Sequence, residues 1–204
     1  MEFASILAGK AAKEENVTMA WQLDTKHSQI EFSVKHMMVS TVRGHFTAFT
    51  GELVADEAHP ENSRIAVTID PTSIHTGDAN RDGHLRAADF FEVEKYPEIT
   101  YKSTGIELKG DEEFRLLGEL TMHGVTQELP LDVTLEGQSK DMQGNRRAGF
   151  SAHTAISRKD FGLNWNVALE TGGVLVSDKV NIQIDAELVE TAPVTAEATV
   201  TARA

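Results

Sequence analysis

The residues best spaced for metal chemistry lie in a polar stretch near the middle of the chain. An EF-hand calcium loop carries oxygen ligands at its first, third, fifth and twelfth positions and glycine at its sixth. That spacing is matched by Asp78, Asn80, Asp82, Gly83 and Asp89. The twelfth residue is Asp rather than Glu, Pro71 interrupts the segment where an entering helix would lie, and the motif has no second copy. We therefore interpret the stretch as a polar turn that leads into a helix, and we expect no metal.

Other catalytic motifs give little support for an enzyme. The sequence lacks G-x-S-x-G, S-x-x-K, H-E-x-x-H and G-x-G-x-x-G, and it contains no Cys for thiolate catalysis or disulfides. The first predicted hairpin brings His36 and His45 near each other, but a catalytic zinc site usually takes three protein ligands. Spacing neither favours nor excludes a Ser-His-Asp arrangement. We expect no cofactor.

Composition describes an ordinary globular chain with a strong negative charge. The 204 residues are 40% hydrophobic and 25% charged, which is sufficient for one domain with a core. The net charge of −13 argues against nucleic acid as a partner and disfavours simple adsorption to anionic membranes. No apolar run approaches the roughly 20 residues of a membrane-spanning helix.

The two ends of the chain lack clear periodicity. Residues 1–19 contain a short apolar patch at 3–8 without a basic segment before it, and this does not match a signal peptide. We therefore expect a cytoplasmic protein, or a periplasmic or secreted one if the natural N-terminus differs; Met19 is a candidate start. Residues 1–19 and 191–204 are predicted to be tails, the latter disordered.

Between these ends the sequence alternates apolar and polar residues with period two, which predicts β-strands exposed to water on one face. In the second of them a change of phase between Phe46 and Phe49 predicts a bulge. Eight antiparallel strands suffice to close a barrel, although the pattern does not separate a barrel from a sandwich. The predicted strands cover residues 28–39, 42–56, 65–69, 99–108, 114–122, 129–136, 148–156 and 180–188.

The alternation stops in residues 81–101. Leu85, Ala88 and Phe91 are spaced as on one side of a short helix, with Phe90 beside them, and Pro97 ends the helical segment. We predict that this segment forms a lid over one end of the β structure. The aromatic residues in it and on the strand faces are consistent with either a packed core or a cavity for one small ligand.

The order of the local motifs resembles the YceI-like family of lipid-binding proteins over about residues 21–189. No single motif is decisive, but their order and spacing are specific. They are W-x-x-D at 21–24, H-S-x-I-x-F-x-V-x-H at 27–36, V-x-G-x-F-x-x-F-x-G at 42–51, R-D-x-H-L at 81–85, D-F-F-x-V-x-x-Y-P at 89–97, G-x-L-T-x-H-G-V-T at 118–126, G-F-x-A at 149–152 and S-R-x-D-F-G at 157–162.

The resemblance implies an all-β fold over residues 20–190, an extended eight-stranded antiparallel lipocalin-like barrel with a short helical lid. It implies a binding or transport protein for a polyisoprenoid or another long-chain amphiphile, rather than an enzyme, with a homodimer as a possible assembly. The alternatives are a hydrolase or isomerase acting on a small apolar substrate, and a structural barrel with a packed core. The expected ligand-binding residues are Phe32, Val34, Met38, Phe46, Phe49, Val67, Ile69, Phe90, Phe91, Leu116, Leu120, Met122, Leu131, Val133, Phe150, Phe161, Trp165, Ile182 and Ile184.

An anionic head group would need local basic residues, because the chain as a whole repels anions. The candidates are Arg43, Arg81, His84 and Arg158. The alternative is that these residues attach the lid to the barrel rim through carboxylates such as Asp89 and Asp160. Substitution of the arginines distinguishes the two hypotheses.

Overall fold

A computed structural model of the chain describes residues 18–56, 59–170 and 172–194, and within them twelve strands and one α-helix. The helix, α1, is Ala79–Arg86. The strands are β1 (Thr18–Leu23), β2 (Gln29–His36), β3 (Ser40–Phe46), β4 (Phe49–Asp56), β5 (Arg64–Ile69), β6 (Ile74–His75), β7 (Ile99–Leu108), β8 (Glu113–Met122), β9 (Val125–Glu128), β10 (Leu131–Lys140), β11 (Arg146–Ser157) and β12 (Val176–Val194).

Eight of these strands close into a ring, in the order β1, β4, β5, β7, β8, β10, β11 and β12, and the pairing of β12 with β1 completes it. All neighbours in the ring are antiparallel. The predicted eight-stranded antiparallel barrel is therefore confirmed. The long strand β12 pairs with β1 over one half and with β2 over the other, so β2, β3 and β6 extend the wall beyond the ring.

The alternating sequence positions the interior side chains. In β8, Phe114, Leu116, Leu120 and Met122 are buried, whereas the residues between them are more exposed. Gly118 occupies the remaining inward position of this strand. A Cβ atom there would lie 2.4 Å from the ring of Tyr101, so glycine is required by the close approach of the two strands.

The segment predicted as one long strand over residues 42–56 is two strands. The strands β3 and β4 are separated by Thr47 and Ala48; β3 pairs with β2, whereas β4 pairs with β1 and β5. The change of phase therefore marks the point at which the chain passes from the extension into the ring, and not a bulge within one strand.

The expected approach of His36 to His45 is also wrong. In the β2–β3 pairing His36 lies opposite Ser40, whereas His45 lies opposite Glu31. The ring of His45 instead lies 5.2 Å from that of His75 in β6, measured between centroids.

The lid contains a helix, but one that begins and ends earlier than the apolar spacing predicted. Asp78 is the N-cap of α1 and its carboxylate accepts hydrogen bonds from the backbone N–H groups of Asn80 and Arg81. The helix ends at Arg86 because Ala87 is extended, so Ala88, Phe90 and Phe91 lie in the turns that follow.

Strand pairing extends into both segments expected to be tails. Thr18 pairs with Val194 and Met19 with Pro193, so the barrel reaches beyond the predicted limits of 20 and 190. The rest of the two expected tails, 1–17 and 195–204, lies outside the described residues. Among the described helices, none is both long and apolar enough to cross a membrane.

Candidate functional site

The barrel contains a cavity of about 290 Å³ whose wall is almost wholly apolar. This volume is close to the lower end of the roughly 300–1,000 Å³ of small-molecule pockets. Strands of the ring and of the extension, together with the lid, contribute to the wall. The predicted ligand-binding residues that line the cavity are Phe32, Val34, Phe46, Val67, Ile69, Phe90, Phe91, Leu116, Leu120, Met122, Leu131, Val133, Phe150, Ile182 and Ile184.

Four of the predicted residues lie elsewhere. Met38 is 68% exposed at the tip of the β2–β3 hairpin, because the period-two pattern of β2 does not continue through the turn. Phe49 and Phe161 are buried in the hydrophobic core without lining the cavity. Trp165 packs against the lid, with its ring centroid 5.3 Å from that of Phe90. These four residues therefore do not line the cavity.

The wall includes residues that were not among the predicted ligand-binding set. Some continue the period-two pattern of strands already identified, as Tyr101 follows Ile99 and Ile156 follows Thr154. Leu163 comes from an irregular loop that no periodicity identifies. The strand residues could have been found from the alternation, whereas the loop residue could not.

Tyr101 contributes the one phenol hydroxyl among the described wall residues, and this group is already hydrogen-bonded. It lies 3.1 Å from the carbonyl oxygen of Leu129 and 3.3 Å from that of Leu116. Burial raises the pKa of Tyr101 well above its ordinary value. The hydroxyl therefore stays protonated and donates to the backbone.

Arg158 also reaches the cavity wall, but its guanidinium binds the backbone. The residue is only 3% exposed. Nη1 donates to the carbonyl oxygens of Leu163 and Trp165, and Nε donates to that of Ser177 at 3.1 Å. Burial lowers the pKa of Arg158, and Asp178, 3.5 Å away, opposes this effect. Arg158 thus fixes the loop that follows it, through carbonyl oxygens and not through the expected Asp160.

The lid is attached in a similar way. Arg81 donates from Nε to the Thr76 hydroxyl at 2.7 Å and from Nη2 to the Thr76 carbonyl oxygen at 2.9 Å. Asp82 accepts hydrogen bonds from the same Thr76 hydroxyl and from the Thr76 backbone N–H. Burial alone would raise the pKa of Asp82, but these bonds and His75 hold it below its ordinary value. Arg81 is therefore part of the lid's attachment.

The other two head-group candidates lie in different surroundings. Arg43 is exposed on the outer face of β3, opposite Ser33. It therefore does not face the cavity, where a head-group contact would place it. His84 lies 3.1 Å from the carboxylate of Asp89 and stands edge-on to Trp165. Both His84 and Arg158 contact Trp165, the first through its ring and the second through the Trp165 carbonyl oxygen.

The carboxylates of the calcium-like motif have separate partners. Asp78 caps α1, Asp82 binds Thr76, and Asp89 contacts His84. Their side chains therefore do not converge on one ion. A different acidic group, formed by Asp24 and Glu187 beside His27, has the guanidinium of Arg147 between its two carboxylates.

Comparison with known proteins agrees with this geometry. The family model described as the YceI-like domain matches residues 21–188. The chain belongs to the YceI-like family. This YceI-like chain is 36% identical over 165 residues to a UPF0312 protein of Pseudomonas putida (strain GB-1), which covers 79% of this chain and 86% of the relative.

Solved structures share the fold of this YceI-like chain. The YCEI protein of Campylobacter jejuni is 31% identical and superposes with a TM-score of 0.67, over 78% of this chain and 90% of that one. A polyisoprenoid-binding domain from Saccharophagus degradans, implicated in plant cell wall breakdown, superposes with a TM-score of 0.64 at 17% identity, over 85% and 99%. The resemblance inferred from the motifs is therefore confirmed.

Proposed function

We propose that this chain binds a polyisoprenoid, or a comparable long-chain amphiphile, with the hydrocarbon chain inside the barrel. The observation that carries this proposal is an apolar cavity in which the buried polar groups, the hydroxyls of Tyr101 and Ser63 and the Arg158 guanidinium, are already bonded to the backbone. A polar ligand would lose its bonds to water without gaining replacements there, whereas a hydrocarbon chain loses nothing.

The energy of such binding follows from burial. Each buried methylene contributes about 0.8 kcal/mol, so about ten of them contribute ~8 kcal/mol before costs are subtracted. Ordering of the chain and loss of translation reduce this value. Micromolar affinity corresponds to roughly 8 kcal/mol, so a ligand needs most of its chain inside the cavity to reach it.

The two alternative functions receive less support. The described residues of the wall include no His or Asp, and its two carboxylate residues, Glu31 and Glu52, are exposed and not buried with a substrate inside the cavity. His84, the nearest candidate at the lid, is held by Asp89 and by the rings of Phe90 and Trp165.

A structural barrel with a packed core would leave no cavity of this size. This chain shares its fold with a polyisoprenoid-binding domain, and that likeness supports lipid binding over both alternatives.

Native mass spectrometry tests the proposal. The protein is isolated under gentle conditions, and then exposed to a prenyl alcohol, a prenyl diphosphate and a fatty acid. We expect a stoichiometric lipid complex with at least one of these chains. A protein that stays empty after isolation, and takes up no prenyl or fatty chain, contradicts the proposal.

Two variants of β11 make this test specific to the cavity. Ala152 is buried and lines the cavity, whereas Ala155 on the same strand is exposed. Ala152→Phe fills the interior and is expected to reduce lipid uptake at least about tenfold. Ala155→Phe adds the same ring to the outer face and is expected to leave uptake unchanged. Equal uptake by both variants would place the lipid outside the barrel.

A further inference from the structure

The hairpin between β2 and β3 ends in three exposed apolar residues. Met37, Met38 and Val39 are 44%, 68% and 84% exposed. Met37 and Met38 have φ angles of 52° and 59°, a conformation that Asn or Gly adopts more readily than Met. The geometry of the turn therefore does not explain why methionines are found here.

The hairpin tip is joined to a second exposed apolar segment. The backbone N–H of Met37 donates to the carbonyl oxygen of Leu175 at 2.7 Å, and the N–H of Leu175 donates to that of Val167 at 2.9 Å. Val167 and Val174 are themselves exposed, at 45% and 38%. The apolar tip patch consists of Met37, Met38, Val39, Val167 and Val174.

The patch lies next to the cavity, at the end of the barrel that carries the lid. Val34 and Val180 pair with each other and line the cavity, and Val176, also in the wall, pairs with His36 immediately before the tip. The loop that carries Val167 begins just after Trp165, which packs against the lid. The strands β2 and β12 thus connect the interior surface to the patch.

Three cations border the patch on the outer face. Lys35, Arg43 and Lys179 are exposed, and their neighbours Val34, Gly44 and Val180 face inward. Nowhere in the described part of the chain do these cations have an ion-pair partner. Three acids belong to the adjoining strands and loop: Glu31, on the same face of β2 as Lys35, and Glu170 are exposed, whereas Asp178 contacts Lys159 at 2.8 Å. In a chain of net charge −13, this border is locally positive.

We propose that the apolar tip patch docks on the surface of an anionic lipid bilayer. Apolar side chains flanked by Lys and Arg are the combination that binds such surfaces, because the former enter the interface and the latter approach anionic head groups. The overall charge of −13 opposes approach. Screening over about 8–10 Å, however, leaves the adjacent cations as the dominant charges at the contact.

A second copy of the chain fits this surface less well. A two-fold interface through the patch would bring two sets of Lys35, Arg43 and Lys179 toward each other, and the like charges would repel. The anionic bilayer is therefore the better match. Docking goes beyond lipid binding inside the barrel, and it requires no ligand in the cavity.

Co-sedimentation of the full chain with vesicles tests docking. Phosphatidylcholine vesicles and mixed phosphatidylcholine–phosphatidylglycerol vesicles are compared, and we expect stronger capture by the mixed vesicles. The double variant Met37→Asn/Met38→Asn is expected to lower the ratio of bound to free protein roughly tenfold on both. Each of Lys35→Gln, Arg43→Gln and Lys179→Gln is expected to lower capture by the mixed vesicles about fivefold, with capture by phosphatidylcholine unchanged.

Two matched controls lie at the opposite end of the barrel. Met142, in the turn between β10 and β11, is 98% exposed, and Lys140 is exposed at the end of β10. Met142→Asn and Lys140→Gln are expected to behave as the unmodified chain. Because Asn suits the left-handed backbone of Met37 and Met38, the double variant should also retain its thermal stability.

The outcomes separate docking from its rivals. Absence of vesicle capture, or equal capture of the unmodified chain and the double variant, overturns the proposal. A dimer in gel filtration that the double variant converts to a monomer, without vesicle capture, identifies the patch as a self-association surface and also overturns it. Lipid uptake is measured without vesicles, so failure of docking is distinguishable from failure of the proposed function.

Discussion

The ring of Phe90 in the lid lies 5.3 Å from the ring of Trp165, on a loop of the barrel rim. The ring of His84 stands edge-on to both, at 5.1 Å and 4.8 Å. The carbonyl oxygen of Trp165 accepts a hydrogen bond from Arg158 at 2.8 Å. Opening the lid therefore requires Phe90 to leave an aromatic cluster whose other side is fixed by a buried arginine.

Phe90→Ala tests whether this contact holds the lid closed. Phe90 is 7% exposed, and loss of its ring is expected to destabilise the chain by about 3 kcal/mol. A bound lipid is also expected to dissociate faster, because the wall loses one of its lid residues. Urea unfolding and the rate of ligand release measure the two effects.

The matched control for Phe90→Ala is Glu94→Ala, on the exposed side of the same lid. This substitution is expected to change both quantities little. A lid contribution to ligand retention is contradicted if Phe90→Ala lowers stability but leaves the release rate at the value of the unmodified chain.

Gly118→Ala tests the close contact between β7 and β8. The added Cβ would lie 2.4 Å from the Tyr101 hydroxyl and 2.7 Å from the backbone oxygen of Lys102, so one of them must move. We expect a loss of about 3 kcal/mol in the free energy of unfolding, as for other overpacked cores. Gly105→Ala on β7 is the control, since its nearest neighbour, a methyl of Leu117, is 3.8 Å away. Similar losses in the two variants would disprove the steric argument.

The barrel was predictable because its strands carry their inward residues with a period of two. In β10, Leu131, Val133 and Leu135 are buried and the residues between them are more exposed, as the sequence pattern indicates. The pattern fails where the chain leaves a strand. Met38 lies two residues beyond His36, but the positive φ angles of Met37 and Met38 turn the backbone away from the phase of β2.

The lid and its attachments could not be derived from spacing. Asp78 begins α1 earlier than the apolar stripe indicated, because an N-cap places the helix more strongly than hydrophobic spacing over so short a segment. Arg81 binds the hydroxyl and the carbonyl oxygen of Thr76, and Arg158 binds mainly backbone oxygens of the loop that follows it and of the start of β12. Sequence identifies the charged residue, whereas such partners depend on where the loops fold.

The Asp24–Arg147 pair predicts a pH-dependent contribution to stability. Hydrogen bonds from Arg147 and then from His27 hold the pKa of Asp24 well below its ordinary 3.8. The carboxylate of the folded chain is thus stabilised above pH 3.8, and this contribution is lost as the pH falls further and the group is protonated. Asp24→Asn is expected to be less stable than the unmodified chain at neutral pH. This difference in stability is expected to shrink as the pH falls below 3.8.

Urea unfolding at stepwise lower pH measures this difference. Asp185→Asn, on the exposed face of β12, is the control and is expected to change stability little at neutral pH. A difference between Asp24→Asn and the unmodified chain that stays constant as the pH falls would show that the Asp24 charge contributes nothing.

Arg81→Ala distinguishes attachment of the lid from recognition of an anionic head group. In the structure Nε and Nη2 of Arg81 bind Thr76, so removal of the guanidinium is expected to loosen the lid without removing a ligand contact. Binding of a prenyl diphosphate and of the matching prenyl alcohol should then weaken by the same factor, as measured by titration without vesicles. Arg43→Ala, on the outer face of β3, should affect neither ligand. A much larger loss for the diphosphate than for the alcohol in Arg81→Ala would contradict the attachment role, because the charge of the head group is the property that distinguishes the two ligands.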